Sequence, residues 1–413
     1  MAAKRTPPKP DYKSYTVGWI AILESELNAA SLLLDEEHAP LPRKQGDVNS
    51  YVLGRMGHHN IVIGFTGHGV YGTNAAANTV TNMLRTFPNI KFGLLVGVGG
   101  GVPAAAAERN PYKDVRLGDV VVSQPNKGNG AVIQYDMGKL INDEEFVIQS
   151  HLNNPPTILL NAVQLLASHQ TLGKGRMGAY LKTSLTKASQ SEYMRDYYFP
   201  GHDQDHLFRS DYRHQVSNSE DCSQCSLRMA VQRLPRQSSV PSVHYGVIAS
   251  ANTVMRSAAH RDRLRDMYHI ACFEMEAAGL MDNFPCLVIR GICDYSDDHK
   301  NKVWQPYAAM AAASYARDLL RVIDAEEVGS MEPAKVPAPT PAKVPAKVPA
   351  PTPAKVPAKK PVSKPQNPQP ARPAAQPVAQ PANYYGYYQG GGGVLRGQQP
   401  TMGTLWTPYY QYY

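Results

Sequence analysis

Apolar runs of strand length alternate with amphipathic stretches through most of the chain. Residues 15–22 form a short apolar strand, and a helix is predicted from Glu24, where Leu27, Ala30 and Leu34 recur at helical spacing. Acids in its first turn suit the helix dipole. Residues 51–55 and 60–65 read as paired strands about Gly57-His58-His59, and the glycine-rich loop 67–73 opens a helix over 75–84. A strand over 92–96 then runs into Gly97-Val98-Gly99-Gly100-Gly101-Val102, and another covers 117–122. A helix is expected within 147–168. Residues 171 to about 239 are polar and without a clean period; they read as an insertion with some helix near 184–197. Order resumes with a strand at 243–250, a helix at 256–267, a buried strand at 287–292 and an Ala-rich helix at 307–323. Alternating strands and helices predict an α/β domain, helices packed on a mostly buried sheet.

Outside this pattern the ends differ in kind. Residues 1–12 are Lys/Pro-rich and expected to be disordered, so the domain is expected to span 13–325. From 326 to 413 Ala-Lys-Val-Pro and Ala-Pro-Thr-Pro units give way to Pro/Gln/Ala and then to a Tyr/Gly-rich end. Proline at this density blocks helix and sheet pairing and favours an extended spacer, so this tail is expected to be a disordered solvated linker, with weak binding to acidic surfaces or to polyproline-binding modules of a protein partner, and self-association through its Tyr/Gly end, as the alternatives.

Charge changes the picture once it is located. The formal net charge is +8, with 42 Lys plus Arg against 34 Asp plus Glu. Seven Lys, two Arg and one Glu lie after residue 330, which is the whole excess; the first 330 residues carry 33 charges of each sign. The folded part therefore gives no basis for a specific nucleic-acid partner. Five irregularly spaced cysteines, no apolar signal region in residues 1–10 and no membrane-length apolar run lead to the expectation of a soluble cytoplasmic protein in a reducing compartment.

The chemistry concentrates in Phe273-Glu274-Met275-Glu276-Ala277-Ala278 and in Asp294, on either side of the buried strand. Carboxylates are expensive there, and the pair reads as placed for chemistry. Taken singly, a helix cap and a strand end would also account for them. Cys222 and Cys225 form one Cys-x-x-Cys, with His206 and His214 upstream in the insertion. Four such ligands suit a tetrahedral structural zinc, but one pair without a second is a weak signal, so loop thiols and no cofactor are the expectation. The glycines at 97–101 lack the spacing of a dinucleotide fingerprint.

Four motifs in order, Gly-Val-Gly-Gly-Gly-Val at 97–102, Leu-Gly-Asp-Val-Val-Val at 117–122, Phe-Glu-Met-Glu-Ala-Ala at 273–278 and Asp294 after its strand, resemble the nucleoside phosphorylase type I superfamily. That family includes purine and uridine phosphorylases and methylthioadenosine/S-adenosylhomocysteine nucleosidases. Gly-Ile-Cys-Asp-Tyr-Ser-Asp at 291–297 resembles its fungal group associated with NOD-like receptors.

The resemblance implies a three-layer nucleoside phosphorylase-like fold, a central mixed twisted sheet flanked by helices, and a homo-oligomer whose active sites are completed across an interface. It implies cleavage of a purine N-glycosidic bond without a metal. Glu276 would hold the ribose hydroxyls, Asp294 would be the general acid at purine N7, aided by an apolar neighbourhood, and Glu26 (or Glu24) would polarise water. Met275, Phe273, Ser250, Asn252, Gly99, Gly100 and Thr73 would line the substrate. The family's phosphate ligands fall on Leu95 and Val98, which cannot hold an anion, so hydrolysis is favoured; backbone amides of 67–73 remain a candidate phosphate nest, with phosphate a co-substrate only for a phosphorylase. The family's aromatic stacking position falls on Val254. His299, Lys300 and Lys302 read as a solvated loop, with a reach to the 5′-phosphates of a nucleotide such as ATP as the alternative. A catalytically silent nucleoside sensor is the rival from another class.

Overall fold

The computed structural model describes residues 9–105, 110–142, 145–149, 152–215 and 222–336. The expected disorder of residues 1–8 and of the tail from 337 lies outside them. In chain order the elements are β1 (Val17–Ala21), α1 (Glu24–Leu32), β2 (Glu36–His38), β3 (Tyr51–Met56), β4 (His59–Phe65), α2 (Thr73–Thr86), β5 (Phe92–Gly101), β6 (Val120–Ser123) and β7 (Val132–Gln134). A hairpin of β8 (Gly138–Asn142) and β9 (Glu145–Ile148) follows, then α3 (Thr157–Thr171), α4 (Met177–Ala188), β10 (Val243–Ser250), α5 (Ala258–Tyr268), β11 (Ile270–Glu274), β12 (Cys286–Asp294), α6 (Gln305–Val322) and α7 (Ala325–Ser330).

A mixed sheet runs in the order β11-β10-β6-β12-β5-β1-β4-β3-β2, with β7 beside β10. Side chains alternate between its faces, as a strand requires. Val17, Trp19, Phe92, Leu94, Leu287 and Ile289 share one core with Ala29 and Ala30 of α1, with Leu33 just after it, and with the buried face of α6. Ile20, Leu95, Val288 and Ile292 point the other way, into a core with Ala76, Val80, Met83 and Leu84 of α2. Helices on both faces make this the three-layer α/β arrangement.

Two departures from the sequence reading matter for function. The glycine run does not end its strand: β5 continues to Gly101, parallel to β12 along its length, and there meets β11 antiparallel through Gly100↔Phe273 and Gly101↔Cys272. The strands β5, β12, β6, β10 and β11 thereby close into a ring. In the insertion, the helix lies at Met177–Ala188 rather than 184–197, with Met177, Leu181, Ser184 and Ala188 buried at helical spacing against α6. The polar residues between them hid that period.

The domain also reaches past residue 325. Asp324 caps α7, the Lys91 ammonium donates to the Met331 carbonyl, and Ala334 N–H donates to Ile90 O at 2.7 Å. No helix among the described residues is long and apolar enough to cross a membrane.

Candidate active site

Glu26 sits at the third position of α1 and is 3% exposed, so it is not the solvated first-turn acid its position allows. One carboxylate oxygen accepts the Ile22 and Leu23 N–H groups at 2.7 and 3.0 Å, and the other accepts Val98 N–H at 2.8 Å. The first pair fixes the start of the helix; the third bond carries the carboxylate across to β5. A Cβ on Gly97 would lie 2.2 Å from the Glu26 carboxylate oxygen and 2.6 Å from Arg290 Nη1. The bare backbone there is what allows the two side chains to approach.

Arg290, in the middle of the apolar strand β12 and 1% exposed, joins the acids. Its Nη2 donates to Glu274 and, at 3.1 Å, to Glu276, while Nη1 is 3.9 Å from Glu26 and donates to Val98 O at 3.3 Å. Glu276 also accepts Gly72 N–H at 3.2 Å. Glu274 turns back to accept the Glu276 and Ala277 N–H groups, which bends the chain after β11 and aims Glu276 inward. Three carboxylates around one guanidinium leave an excess of negative charge. Burial pushes Glu276 up to about 7; Arg290 opposes this, and the charges of Glu274 and Glu26 add to it.

Asp294 closes β12, also buried. One oxygen accepts Ser296 N–H at 2.9 Å; the other accepts from the Cys293 thiol at 3.2 Å and lies 3.0 Å from Lys300 Nζ. The surroundings are thus more polar than the apolar setting expected from Ile292 and Cys293, and Lys300 is a partner of the acid rather than a solvated loop cation. A Cβ on Gly100 would meet Asp294 Oδ1 at 2.7 Å and Ser296 Oγ at 2.1 Å. Gly97 and Gly100 thus seat the two ends of the site on one strand.

The remaining sequence candidates gather around the ends of the same strands. Thr73 donates to the Asn252 side chain through its N–H and its hydroxyl, both at 3.1 Å, so Asn252 caps α2. Ser250 Oγ accepts Ala278 N–H at 3.0 Å, behind the acidic motif. Phe273 is buried edge-on against Tyr135, with ring centroids 5.4 Å apart, Met275 is half-buried, and Gly99 lies beneath Cys272 and the Phe273 carbonyl. Val254, the family's stacking position, is 44% exposed.

Three amides of the 67–73 loop are already engaged: Gly72 N–H goes to Glu276, Thr73 N–H to Asn252 and Val70 N–H to Gly67 O. His299 stacks on Phe208, with ring centroids 4.1 Å apart, and lies 5.5 Å from Tyr212.

Sequence reasoning missed Arg290. The signal was there: an arginine inside an apolar strand needs buried anionic partners, and Glu274, which had no role assigned, is one of them. Asp119 of the Leu-Gly-Asp motif is structural. It receives Arg236 of the insertion at 2.5 and 2.8 Å and His244 at 2.9 Å. Burial disfavours its charge, but these bonds prevail and hold it below the usual carboxylate range.

A cavity of about 510 Å³ opens beside Asp294, walled by Cys293, Tyr295, Asp297 and Trp304 on one side and by His206, Phe208, Cys222 and Cys225 of the insertion on the other.

No family model matches the chain. Over 326 residues it is 43% identical to a nucleotide-binding leucine-rich repeat (NLR)-like protein of Hyaloscypha variabilis, a stretch of 79% of this chain and 31% of that protein. Over 100 residues it is 33% identical to the ATP nucleosidase Cap17 of Escherichia coli, covering 21% of this chain and 20% of that protein. The chain spans less than a third of the length of these curated relatives. Among solved structures it is similar to the futalosine hydrolase of Helicobacter pylori (TM-score 0.45, 15% identity, 75% of this chain and 98% of that one). It is also similar to the 5′-methylthioadenosine/S-adenosylhomocysteine nucleosidase of Neisseria meningitidis (TM-score 0.46, 15% identity, 74% of this chain and 98% of that one). The likeness to a fungal NLR-like protein agrees with the resemblance that residues 291–297 bear to the fungal group associated with NOD-like receptors.

Proposed function

From this likeness to nucleosidases as premise, we propose that the chain hydrolyses the N-glycosidic bond of a purine nucleoside or nucleotide, releasing the base and ribose or its phosphate. The observation that carries the reading is the cluster of Glu26, Glu274 and Glu276 around Arg290, opposite an Asp294 paired with Lys300. Glycosidic cleavage passes through a ribosyl cation, which an excess of fixed negative charge stabilises more than it does the neutral substrate.

In this reading Glu276 accepts hydrogen bonds from the ribose hydroxyls. As the bond between C1′ and purine N9 breaks, its electron pair passes to the base, and the proton shared by Asp294 and Lys300 goes to N7. Water attacks C1′ and loses its proton to Glu26. An ionised carboxylate offers about four lone-pair sites; backbone N–H groups take three on Glu26, which leaves one for that water.

Hydrolysis is favoured over phosphorolysis because the places an anion would need are taken. The Val98 amide is bound by a carboxylate, and the Gly72 and Thr73 amides at the start of α2 already have acceptors. An ATP nucleosidase among the relatives supports a nucleotide as one form of the substrate. Purified protein given inosine, guanosine, adenosine and ATP, each with and without phosphate, tests this by chromatography of the released base. Release independent of phosphate is expected; a strict phosphate requirement, or binding without release, overturns it.

A further inference from the structure

The insertion and the loop after Asp294 meet in a second cluster, remote from the acids in chemistry. His214, Cys222, Cys225 and His299 place one ligand atom each within 4.8 Å of one another. The two histidines and two cysteines come from three separate segments, and only Cys222 and Cys225 are near in sequence. We propose that these four residues bind one zinc ion, which fastens the insertion to the loop carrying Lys300.

The dimensions suit that ion. Bonds of about 2.3 Å to sulfur and about 2.05 Å to nitrogen in a tetrahedron set sulfur and nitrogen about 3.5 Å apart. His299 Nδ1 lies 3.6 Å from Cys225 Sγ and 3.9 Å from Cys222 Sγ. The other ring nitrogen of His299 bonds the Tyr212 carbonyl at 3.1 Å, the outer bond that fixes a metal-bound imidazole with Nδ1 as its ligand atom. The ring stacks on Phe208 at a centroid distance of 4.1 Å and lies nearly parallel to Tyr212 at 5.5 Å, and the Tyr212 hydroxyl accepts Ser226 N–H, next to Cys225. His214 is positioned by its own N–H donating to Asp298 at 3.3 Å. Two thiolates with two imidazoles select zinc over magnesium or calcium, and four protein ligands leave no open position, so the ion is structural.

The ligand set differs from the one the sequence suggested. His206 is not in it; its ring is 6.3 Å from Phe208 and faces the cavity beside Asp294. His299, 74 residues after Cys225, takes the fourth place. Because Lys300 follows His299 directly and pairs with Asp294, the ion would fix one wall of that cavity.

The test is on the full chain. Metal content by mass spectrometry after dialysis is expected at one zinc per chain, kept in His206→Ala and lost in Cys225→Ser and His299→Ala. Cobalt replacing zinc should give the visible bands of a tetrahedral site and a thiolate-to-cobalt charge-transfer band in wild type and His206→Ala. If the cysteine variants fail to fold, the cobalt spectrum of the native protein decides. Chelation of the wild type should expose residues 200–215 and 222–235 to protease while the sheet stays folded. Absence of zinc with no cobalt charge transfer, a Cys222–Cys225 disulfide in protein kept reduced, or full zinc in His299→Ala overturns the proposal. None of these readouts depends on the nucleosidase reading.

Discussion

The guanidinium of Arg290 stands 3.1 Å from the carboxylate of Glu276, both buried, with Glu274 on the same nitrogen and Glu26 close by. One cation therefore serves three acids, and a proton is the cheapest way to relieve the surplus. With Glu276 raised to about 7, the free enzyme should lose kcat/KM as pH falls through that value, because a protonated Glu276 no longer accepts from both ribose hydroxyls. The stability effect has the opposite sign: the raised group stabilises the fold fully below about 4.5 and loses that contribution as pH rises through about 7. A kcat/KM profile and thermal melts across pH 4 to 9 check both, and Glu276→Gln should flatten the melting trend. A flat wild-type profile in that range counts against the assignment.

Asp294→Asn keeps the shape of the side chain and its bond from Ser296, and removes the carboxylate that pairs with Lys300. Base release should fall by about 10²–10⁴-fold, the usual size of a general-acid effect, with an unchanged circular dichroism spectrum. A rate within a few-fold of wild type rejects the role.

Arg290→Leu leaves Glu274 and Glu276 buried without their cation. Removing one member of a buried ion pair costs about 3–5 kcal/mol, so this variant should melt far below wild type in neutral buffer. Its deficit should shrink at lower pH, as the carboxyls protonate. Urea titrations at two pH values measure the difference.

Gly97→Ala drives a methyl group into Glu26 and Arg290, at separations of 2.2 and 2.6 Å. Overpacking of this kind costs about 1–3 kcal/mol, and displacement of the Glu26 carboxylate should lower kcat more than it raises KM. A variant with wild-type kcat would show that Glu26 does not need this seat.

Arg236→Ala strips two bonds from Asp119, whose side chain is 1% exposed, and detaches the end of the insertion from β6. Destabilisation of about 3–5 kcal/mol is expected by chemical denaturation.

Much of this was legible in the chain. The strands β1, β3, β4 and β10 and the helices α2 and α6 follow from period and apolar content because their own residues are the ones that fill the cores. Glu26, Glu276 and Asp294 were found through motifs, and the structure brings Glu26 and Glu276 to a common arginine. What the sequence hid depends on contacts between distant segments. The continuation of β5 through its glycines is decided by pairing with β12 and β11, since glycine itself disfavours strand. The fourth member of the Cys/His cluster lies far along the chain, where no local spacing rule reaches. Lys300 looked like a solvated cation because nothing near it in sequence shows that it turns back on Asp294.

The closing of five strands into a ring has a consequence for motion. Gly100 is flanked by β12 on one side and β11 on the other, so its amide lies in a floor with no edge from which to fray. Hydrogen exchange there should track global unfolding, whereas the insertion, held by Arg233 on Asp114 and Tyr295, by Arg236 on Asp119 and by the Cys/His cluster, can release its anchors singly. On the proposed function, substrate entry and product departure would then be governed by the insertion, at a rate set independently of the geometry of the acidic cluster.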